Sequence, residues 1–331
     1  MGVFAMYDVT AIGELLIDFT PLEPSAQGRP VFEQNPGGAP ANVLAALSQF
    51  GHSTALIGKV GRDPFGDSLR LTLEQSGIET QGLLMSETYP TTLAFVHLDQ
   101  RGDRSFSFYR QPGADVMLEA SEIAFNLIDD CRIFHFGSVS MTDDPARQAT
   151  LAAVHYAHDT KKLISFDPNL RPMLWHSLQE ARRLILSVLP LVDCLKVSDE
   201  ELRFLTDESD LKRGTAKLLN DFDLQLILVT LGRKGAYGRT PLTDGQHPAY
   251  DVHTIDTTGA GDAFTGSVLH DLLSDERAPA DLNETDLMSL LARANAAGSL
   301  ATTRKGAIPA MPTAQAIEEC LRMTPLLTIT D

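Results

Sequence analysis

From residue 131 to residue 230 the sequence alternates between two textures. CRIFHF (131–136), LISF (163–166), CLKV (194–197) and LQLILVT (224–230) are short, mostly apolar runs. The segments between them, 145–159, 178–188, 199–205 and 212–222, carry apolar residues at helical spacing instead. Short, nearly continuous apolar runs read as strands buried on both faces, and the intervening pattern reads as amphipathic helix. Strands joined through helices lie parallel in one sheet, with the helices packed against its faces. Working outward, 7–19 and 55–60 repeat the strand texture and 40–50 and 65–76 the helical one. Downstream, 258–274, 286–302 and 313–322 read as further helices. The expected fold class is therefore α/β, with a mostly parallel central sheet and helices on both faces.

Two stretches break this rhythm. RSFSFYR (104–110) alternates polar and aromatic residues and faces 92–98 across Asp99-Gln-Arg-Gly-Asp103, the pattern of a hairpin with one covered face. Residues 14–32 read as extended. Together they predict a small antiparallel flap built in pieces, at about 14–36 and 88–113. At 331 residues the chain has room for about two domains or one large one. No Gly-, Ser- or Pro-rich linker divides it, so one domain over 1–331 is expected.

Composition narrows the function. Hydrophobic residues are 43% and charged residues 21%, an ordinary globular balance. The net charge of −17 repels a nucleic-acid backbone, so no nucleic-acid partner is expected, although local amides and cations can still hold a small phosphorylated ligand. Cys131, Cys194 and Cys320 lack metal or disulfide spacing and read as buried thiols of a reducing, cytoplasmic setting. The first residues lack the pattern of a secretory signal, and no run of 18 apolar residues predicts a membrane span.

The chemistry concentrates in DTTGAGDAF (256–264). Its glycines let backbone N–H groups gather where a helix begins, and Thr258 is placed to cap that helix. A helix N-terminus of this kind attracts an anion. Asp262, in the first turn, suits removal of a proton from a hydroxyl more than capture of phosphate. The pair describes phosphoryl transfer to an alcohol. The same residues also make an ordinary capped helix whose Asp complements the dipole.

GGAPAN (37–42) sets two glycines and Asn42 before an apolar helix, a surface for a hydroxyl-rich ligand or a plain strand–turn–helix joint. Asp18 ends the first apolar run, where it serves either sugar hydroxyls or solvent. In SFDPNLR (165–171), Asp167, Asn169 and Arg171 follow a strand, at the sheet end where α/β folds bind ligands. Arg171 suits a phosphate and Asp167 a metal-bound water, or the segment is a turn tied by its own side chains. In KVSDEEL (196–202), Ser198 and Glu201 form a capping-box pattern that is a complete structural explanation, with a magnesium-water role for Glu201 as the alternative. TLGRKG (230–235) either lines a nucleotide or turns into a hairpin. GRDPFG (61–66) lacks the Lys of a phosphate-binding P-loop, and the first strand lacks a dinucleotide-binding glycine motif. His97, His135 and His155 show no metal spacing, and Trp175 reads as packing.

Taken together, DTTGAGDAF, GGAPAN, DPNLR and TLGRKGA resemble the ribokinase-like carbohydrate kinases, the phosphofructokinase B family, over 13–313. Within that family GELLIDF (13–19), GKVGRDPFG (58–66), FSFYRQPGADVML (106–118), IFHFGSVS (133–140) and SFDPNLRPMLW (165–175) are most similar to fructokinases. The resemblance implies a ribokinase-like three-layer fold with a β-sheet lid over the sugar. It implies ATP-dependent phosphorylation of D-fructose at the 6-hydroxyl, with Mg²⁺. It makes Asp262 the base and Gly259, Ala260 and Gly261 the anion hole. Asp18, Gly37, Gly38, Asn42, Phe95, Phe108, Arg110, Asp167, Asn169 and Arg171 fall to the sugar. Lys196, Ser198, Thr230, Gly232, Gly235 and Asn295 fall to the nucleotide, and Glu201 to Mg²⁺ through water. Ser198 stands where the family motif has Asn, which leaves phosphate contact there open. Asp256 and Thr258 are implied for K⁺, and a homodimer through the lid is implied as well. A 2-keto-3-deoxygluconate kinase is the near alternative. It would need a cation such as Arg110 for the substrate carboxylate, and GADVML leans toward fructokinase. Other sugar kinases of the family remain open. A silent sugar- or nucleotide-binding regulator is the alternative that an intact Asp262 opposes.

Overall fold

The computed structural model describes residues 7–98 and 104–328. In chain order the first part forms β1 (Tyr7–Ile12), β2 (Leu16–Leu22), β3 (Val31–Gly37), α1 (Ala39–Gln49), β4 (Thr54–Gly61), α2 (Pro64–Gln75), β5 (Ile78–Glu79), β6 (Leu83–Ser86), β7 (Leu93–Leu98) and β8 (Arg104–Tyr109). There follow α3 (Phe125–Asp129), β9 (Cys131–Gly137), α4 (Ala146–Asp159), β10 (Leu163–Asp167), α5 (Leu178–Val188), β11 (Cys194–Ser198), α6 (Asp199–Thr206) and α7 (Leu211–Phe222). The chain ends with β12 (Leu226–Thr230), β13 (Ala236–Arg239), β14 (Asp244–His247), α8 (Ala260–Ser274), α9 (Glu284–Ala301) and α10 (Ala314–Met323).

The large sheet runs β14-β13-β12-β11-β10-β9-β1-β4-β5, with β6 on β4. From β12 to β5 every pairing is parallel, and β13 and β14 add an antiparallel edge. In β12, Leu226 and Leu228 enter one apolar core and Ile227 and Val229 the other, as alternation on a two-faced strand requires. One core is filled from α1, α8 and α9 by residues such as Leu44, Val268 and Leu291. The other is filled from α4, α5 and α6 by Val154, Ile185 and Leu202, over the stacked rings of Phe136 and Phe166. This is the ribokinase-like three-layer arrangement.

Side-chain caps fix several helix starts. Asp63 accepts from the Phe65 and Gly66 amides at α2, Ser177 caps α5, and Ser198 with Glu201 forms the predicted capping box at α6. The parallel strands all end on one side, so Glu14, Asp167, Ser198 and Thr230 emerge from the same edge of the sheet. All three cysteines are buried and unpaired, and Trp175 is buried packing, as expected.

A separate sheet, β3-β2-β7-β8, forms the lid. Its two hairpins are antiparallel, but β2 and β7 pair in parallel, so the expected all-antiparallel flap is corrected to a mixed sheet. The reason is topological: each hairpin's first strand leaves the large sheet, and those two outgoing strands meet. The hairpin turn predicted at 99–103 lies outside the described residues.

Candidate active site

Where α8 begins, Gly259 takes the N-cap position with φ 77°, and no side chain caps the helix. This corrects the expectation for Thr258. Its amide and hydroxyl both donate to Asp256 Oδ1 instead (2.9 and 2.7 Å), while Asp256 Oδ2 accepts from the Gly306 amide at 3.1 Å. The Asp256 carboxylate thus binds the 256–258 loop to the turn at Gly306 and leaves the helix start to backbone amides.

A cavity of about 290 Å³ opens on one side of this loop. Its wall contains Glu14, Leu16, Asp18, Gly38, Asn42, Phe108, Val139, Asn169, Arg171, Lys196, Thr257, Thr258, Gly259, Gly261 and Asp262. A second cavity of about 360 Å³ lies on the other side, lined by Thr230, Gly232, Gly235, Tyr250, Val252, Thr257, Ala260, Gly261, Phe264, Asn295 and Thr302 among others. Thr257 and Gly261 line both. One pocket is polar and floored by carboxyl groups; the other is walled largely by apolar side chains and glycine backbone.

Asp262 is buried at the boundary, and its Oδ2 accepts from Asn42 Nδ2 at 2.8 Å. Burial pushes its pKa up to about 6, with the Asp167 carboxylate adding to the rise; Asn42, Lys196 and Arg171 oppose it. A base poised near neutrality is what proton removal at physiological pH needs. Lys196 reaches Asp167 Oδ2 at 2.9 Å. Burial alone would drain its charge, but the carboxylates of Asp167, Glu201 and Asp262 outweigh it and hold the ammonium above its usual range.

The expected sugar residues divide. Asp18, Gly38, Asn42, Phe108, Asn169 and Arg171 line the first cavity. At Gly38 φ is 123°, and a Cβ would collide with the Glu14 carbonyl oxygen, so only glycine lets this strand–helix joint close against the cavity. Gly37 sits behind the wall against the Asp18 carboxylate. Asp167 also lies behind it: one oxygen holds Lys196, and the other accepts the Asn169 amide at 3.2 Å, tying the 167–171 turn.

Two lid expectations are corrected. Phe95 faces away from the cavity because Ala94, its neighbour, pairs with cavity-lining Phe108, and side chains alternate along a strand. Its ring stacks on Phe19 (4.8 Å) and meets Phe32 and Tyr109 edge-on (both 5.5 Å). Arg110 does not touch the cavity. Nε donates to Asp115 Oδ2 (2.7 Å), Nη1 to the Thr142 hydroxyl (2.8 Å) and Nη2 to the Val139 carbonyl (3.1 Å), so the guanidinium is spent in a buried brace at the lid's base.

Of the nucleotide expectations, Thr230, Gly232, Gly235 and Asn295 line the second cavity, and Asn295 Nδ2 also donates to the His247 carbonyl at 2.9 Å. The TLGRKG segment is both things it was read as, a cavity wall and the turn from β12 into β13. Lys196 belongs to the first cavity, beside Gly261. Ser198 lines neither: its short hydroxyl accepts from the Glu201 amide, and Glu201 Oε2 accepts from the Ser198 amide in return. Glu201 Oε1 takes the Leu170 amide at 2.6 Å, so this carboxylate clamps α6 to the 167–171 turn. The Ala260 amide turns back to the Thr257 carbonyl at 3.3 Å, while Gly259 and Gly261 line the first cavity.

Glu14 was missed. It sits in GELLIDF between β1 and β2, is 4% exposed, and lines the first cavity. Burial pushes its pKa up to about 7; bonds from its own and the Ala39 amides and the nearby Arg110 charge work against the rise. A charged residue inside an otherwise apolar run was the available signal. Tyr250 and Phe264, on the wall of the second cavity, carried none, since apolar wall residues look like core.

Comparison with known proteins agrees with this geometry. The profile of the pfkB family carbohydrate kinases matches residues 6–314. Probable fructokinase-3 of Arabidopsis thaliana is 43% identical over 307 residues, 92% of this chain and 88% of the relative. Among solved structures, a fructokinase from Xylella fastidiosa with bound ATP superposes with a TM-score of 0.87 at 34% identity, covering 95% of this chain and 98% of that one. A double mutant of Vibrio cholerae O395 fructokinase, in a form with fructose, ADP and potassium ion bound, gives 0.85 at 34%, covering 96% and 99%. Two cavities meeting at a glycine loop, a buried carboxyl at their junction and a match across nearly the whole chain lead to one conclusion: the chain belongs to the pfkB family of carbohydrate kinases.

Proposed function

We infer that this chain is an ATP-dependent fructokinase that phosphorylates D-fructose at the 6-hydroxyl. The observation that carries the reading is that one loop lines both cavities: Thr257 and Gly261 face each, and Asp262 stands on the polar side. ATP occupies the apolar cavity with its terminal phosphoryl at the loop. Fructose occupies the polar one under the lid, with a hydroxyl at Asp262. Asp262 takes the hydroxyl proton as the oxygen attacks, and the Gly259 and Gly261 amides with the α8 dipole stabilise charge on the moving phosphoryl. Lys196, kept charged beside them, adds to that stabilisation. Asn42 orients the base through its 2.8 Å bond. The lid keeps water from competing with the sugar.

The charge pattern supports a neutral sugar. Glu14, Asp18 and Asp262 line the polar cavity, and its basic residues, Arg171 in the turn after β10 and Lys196 on β11, do not come from the lid. Arg110, the lid cation that a 2-keto-3-deoxygluconate substrate would need, is bound to Asp115.

Among the described residues no three His, Cys, Asp or Glu side chains gather into a metal site, and both oxygens of Asp167 and of Glu201 already accept hydrogen bonds. Mg²⁺ would therefore enter with the nucleotide phosphates, Glu201 reaching it only through water, and it would supply charge neutralisation at the transferred group. K⁺ would be held by carbonyl oxygens of the 256–258 loop, which Asp256 ties to Thr258 and to the Gly306 turn. A homodimer through the outer lid face is supported by an aromatic cluster there, in which Phe19, Phe32 and Tyr109 pack around Phe95 and the Tyr109 ring is 68% exposed. Three buried free thiols suit the cytoplasm. Among the described residues no helix is long and apolar enough to cross a membrane.

The test is ADP release with D-fructose, D-ribose and 2-keto-3-deoxygluconate, followed by phosphorus NMR of the product. Turnover with fructose giving a C-6 ester is expected. Preferential turnover of the keto acid, or ligand binding without turnover of any sugar, would overturn the reading.

A further inference from the structure

Glu14 takes no part in the mechanism above, yet its geometry is that of a group waiting for a ligand. Its Oε1 accepts the Ala39 amide at 3.1 Å, next to Gly38 at the start of α1. Its Oε2 is buried with no hydrogen-bond partner, on a residue that lines the sugar-side cavity. An unpaired oxygen in such a place is unfavourable unless a bound molecule completes it. A second, independent observation points the same way. Asn42 spends its Nδ2 on Asp262, and its Oδ1 is also buried, unpartnered and on the cavity wall. Both residues flank the GGAPAN turn, so two open oxygens stand on one wall. A ligand that satisfies both at once offers two hydroxyls, as a polyol does.

Arg110 and Asp115 stand close enough behind Glu14 to act on its charge, but they are bound to each other and present nothing to the cavity. Asp18 and Asp262 contribute the other carboxyl groups of the wall. Glu14 has one oxygen fixed on the backbone at the start of α1 and the other open.

We propose that Glu14 is a substrate-binding residue, its Oε2 bonding one sugar hydroxyl and Asn42 Oδ1 another. This rests on the fructokinase reading and adds a residue to its substrate recognition. The Glu14–Ala39 bond carries the turn, and the free oxygen carries selectivity for a hydroxyl at one carbon.

Glu14→Gln separates the two roles. Its carbonyl still accepts the Ala39 amide, while an NH₂ donor replaces the open oxygen. The full-length protein, Glu14→Gln and Glu14→Ala are assayed for kcat and KM with D-fructose and its 1-, 3- and 4-deoxy analogues, and for KM with ATP. In the wild type, one analogue should lose roughly ten- to hundredfold in kcat/KM. In Glu14→Gln the same analogue should lose less than about threefold, KM for fructose should rise by a similar ten- to hundredfold, and KM for ATP should stay unchanged. If every analogue costs Glu14→Gln as much as the wild type, or if only Glu14→Ala is impaired, the residue is a structural brace and the proposal is wrong. A wild type inert on fructose would overturn the fructokinase reading and this inference with it; an active wild type with an unaltered Glu14→Gln profile overturns the inference alone.

Discussion

At the scale of single residues, Asp262 trades stability for reactivity. Burial and the Asp167 charge raise its pKa to about 6. The base must be ionised to take a proton, so kcat/KM should fall as pH drops through about 6 and level off above it, a profile read directly from initial rates at saturating ATP. The folded-state pKa lies above the ordinary 3.8, so the residue's contribution to folding is fully present below about pH 4 and is lost as pH rises through about 6. Asp262→Asn, which keeps an acceptor for Asn42, should therefore melt higher than the wild type at pH 7 by about 1–3 kcal/mol, with the difference vanishing near pH 4. Calorimetry at both pH values checks this; equal melting at pH 7 would contradict it. Arg110 shows what residue type alone leaves unsaid. A lid arginine is read as a substrate cation until Asp115, five residues on, proves to be its buried partner. Which partner a long side chain takes is decided by the fold, and spacing cannot supply it.

At the scale of elements, legibility followed period and punctuation. The central parallel strands and the longer helices lay where apolar runs and helical spacing put them, because burial on two faces leaves no other solution for such runs, whereas the short edge strands β5, β6, β13 and β14 and the one-turn α3 carried no such pattern. Ser198 and Glu201 were readable as a capping box because that device is local. The start of α8 was read as capped by Thr258 and proves uncapped, since Thr258 and Asp256 choose each other across the loop. Phe95 was misplaced because one-residue alternation, not aromatic content, sets which face of β7 meets the cavity. Gly261 offers a test at this scale. A Cβ there would stand 3.0 Å from Lys196 Nζ. Gly261→Ala should displace the ammonium and lower kcat by roughly ten- to hundredfold, while thermal stability holds or improves because alanine favours helix. A variant with wild-type kcat would show that Lys196 has room to yield.

At the scale of the whole molecule, the two cavities and the lid form one device. The large sheet delivers Glu14, Asp167, Lys196 and Thr230 to one edge, α8 brings Asp262 between two pockets, and the mixed lid sheet contributes Asp18 and Phe108 from above. The lid's outer aromatic face should hold two copies together. Tyr109→Asp, on the exposed ring, should shift sedimentation toward the monomer and leave the fold intact by circular dichroism; an unchanged sedimentation coefficient would remove the lid from the interface. The central claim is that Asp262 removes the sugar proton as phosphate crosses the shared loop. Its most direct test is a rapid-quench single turnover of fructose phosphate formation by the wild type and Asp262→Asn, with ATP and fructose binding to each verified separately. The account predicts that both ligands bind and that the chemical step slows by roughly 10²–10⁴-fold in the variant; an unchanged rate with both ligands bound would contradict it.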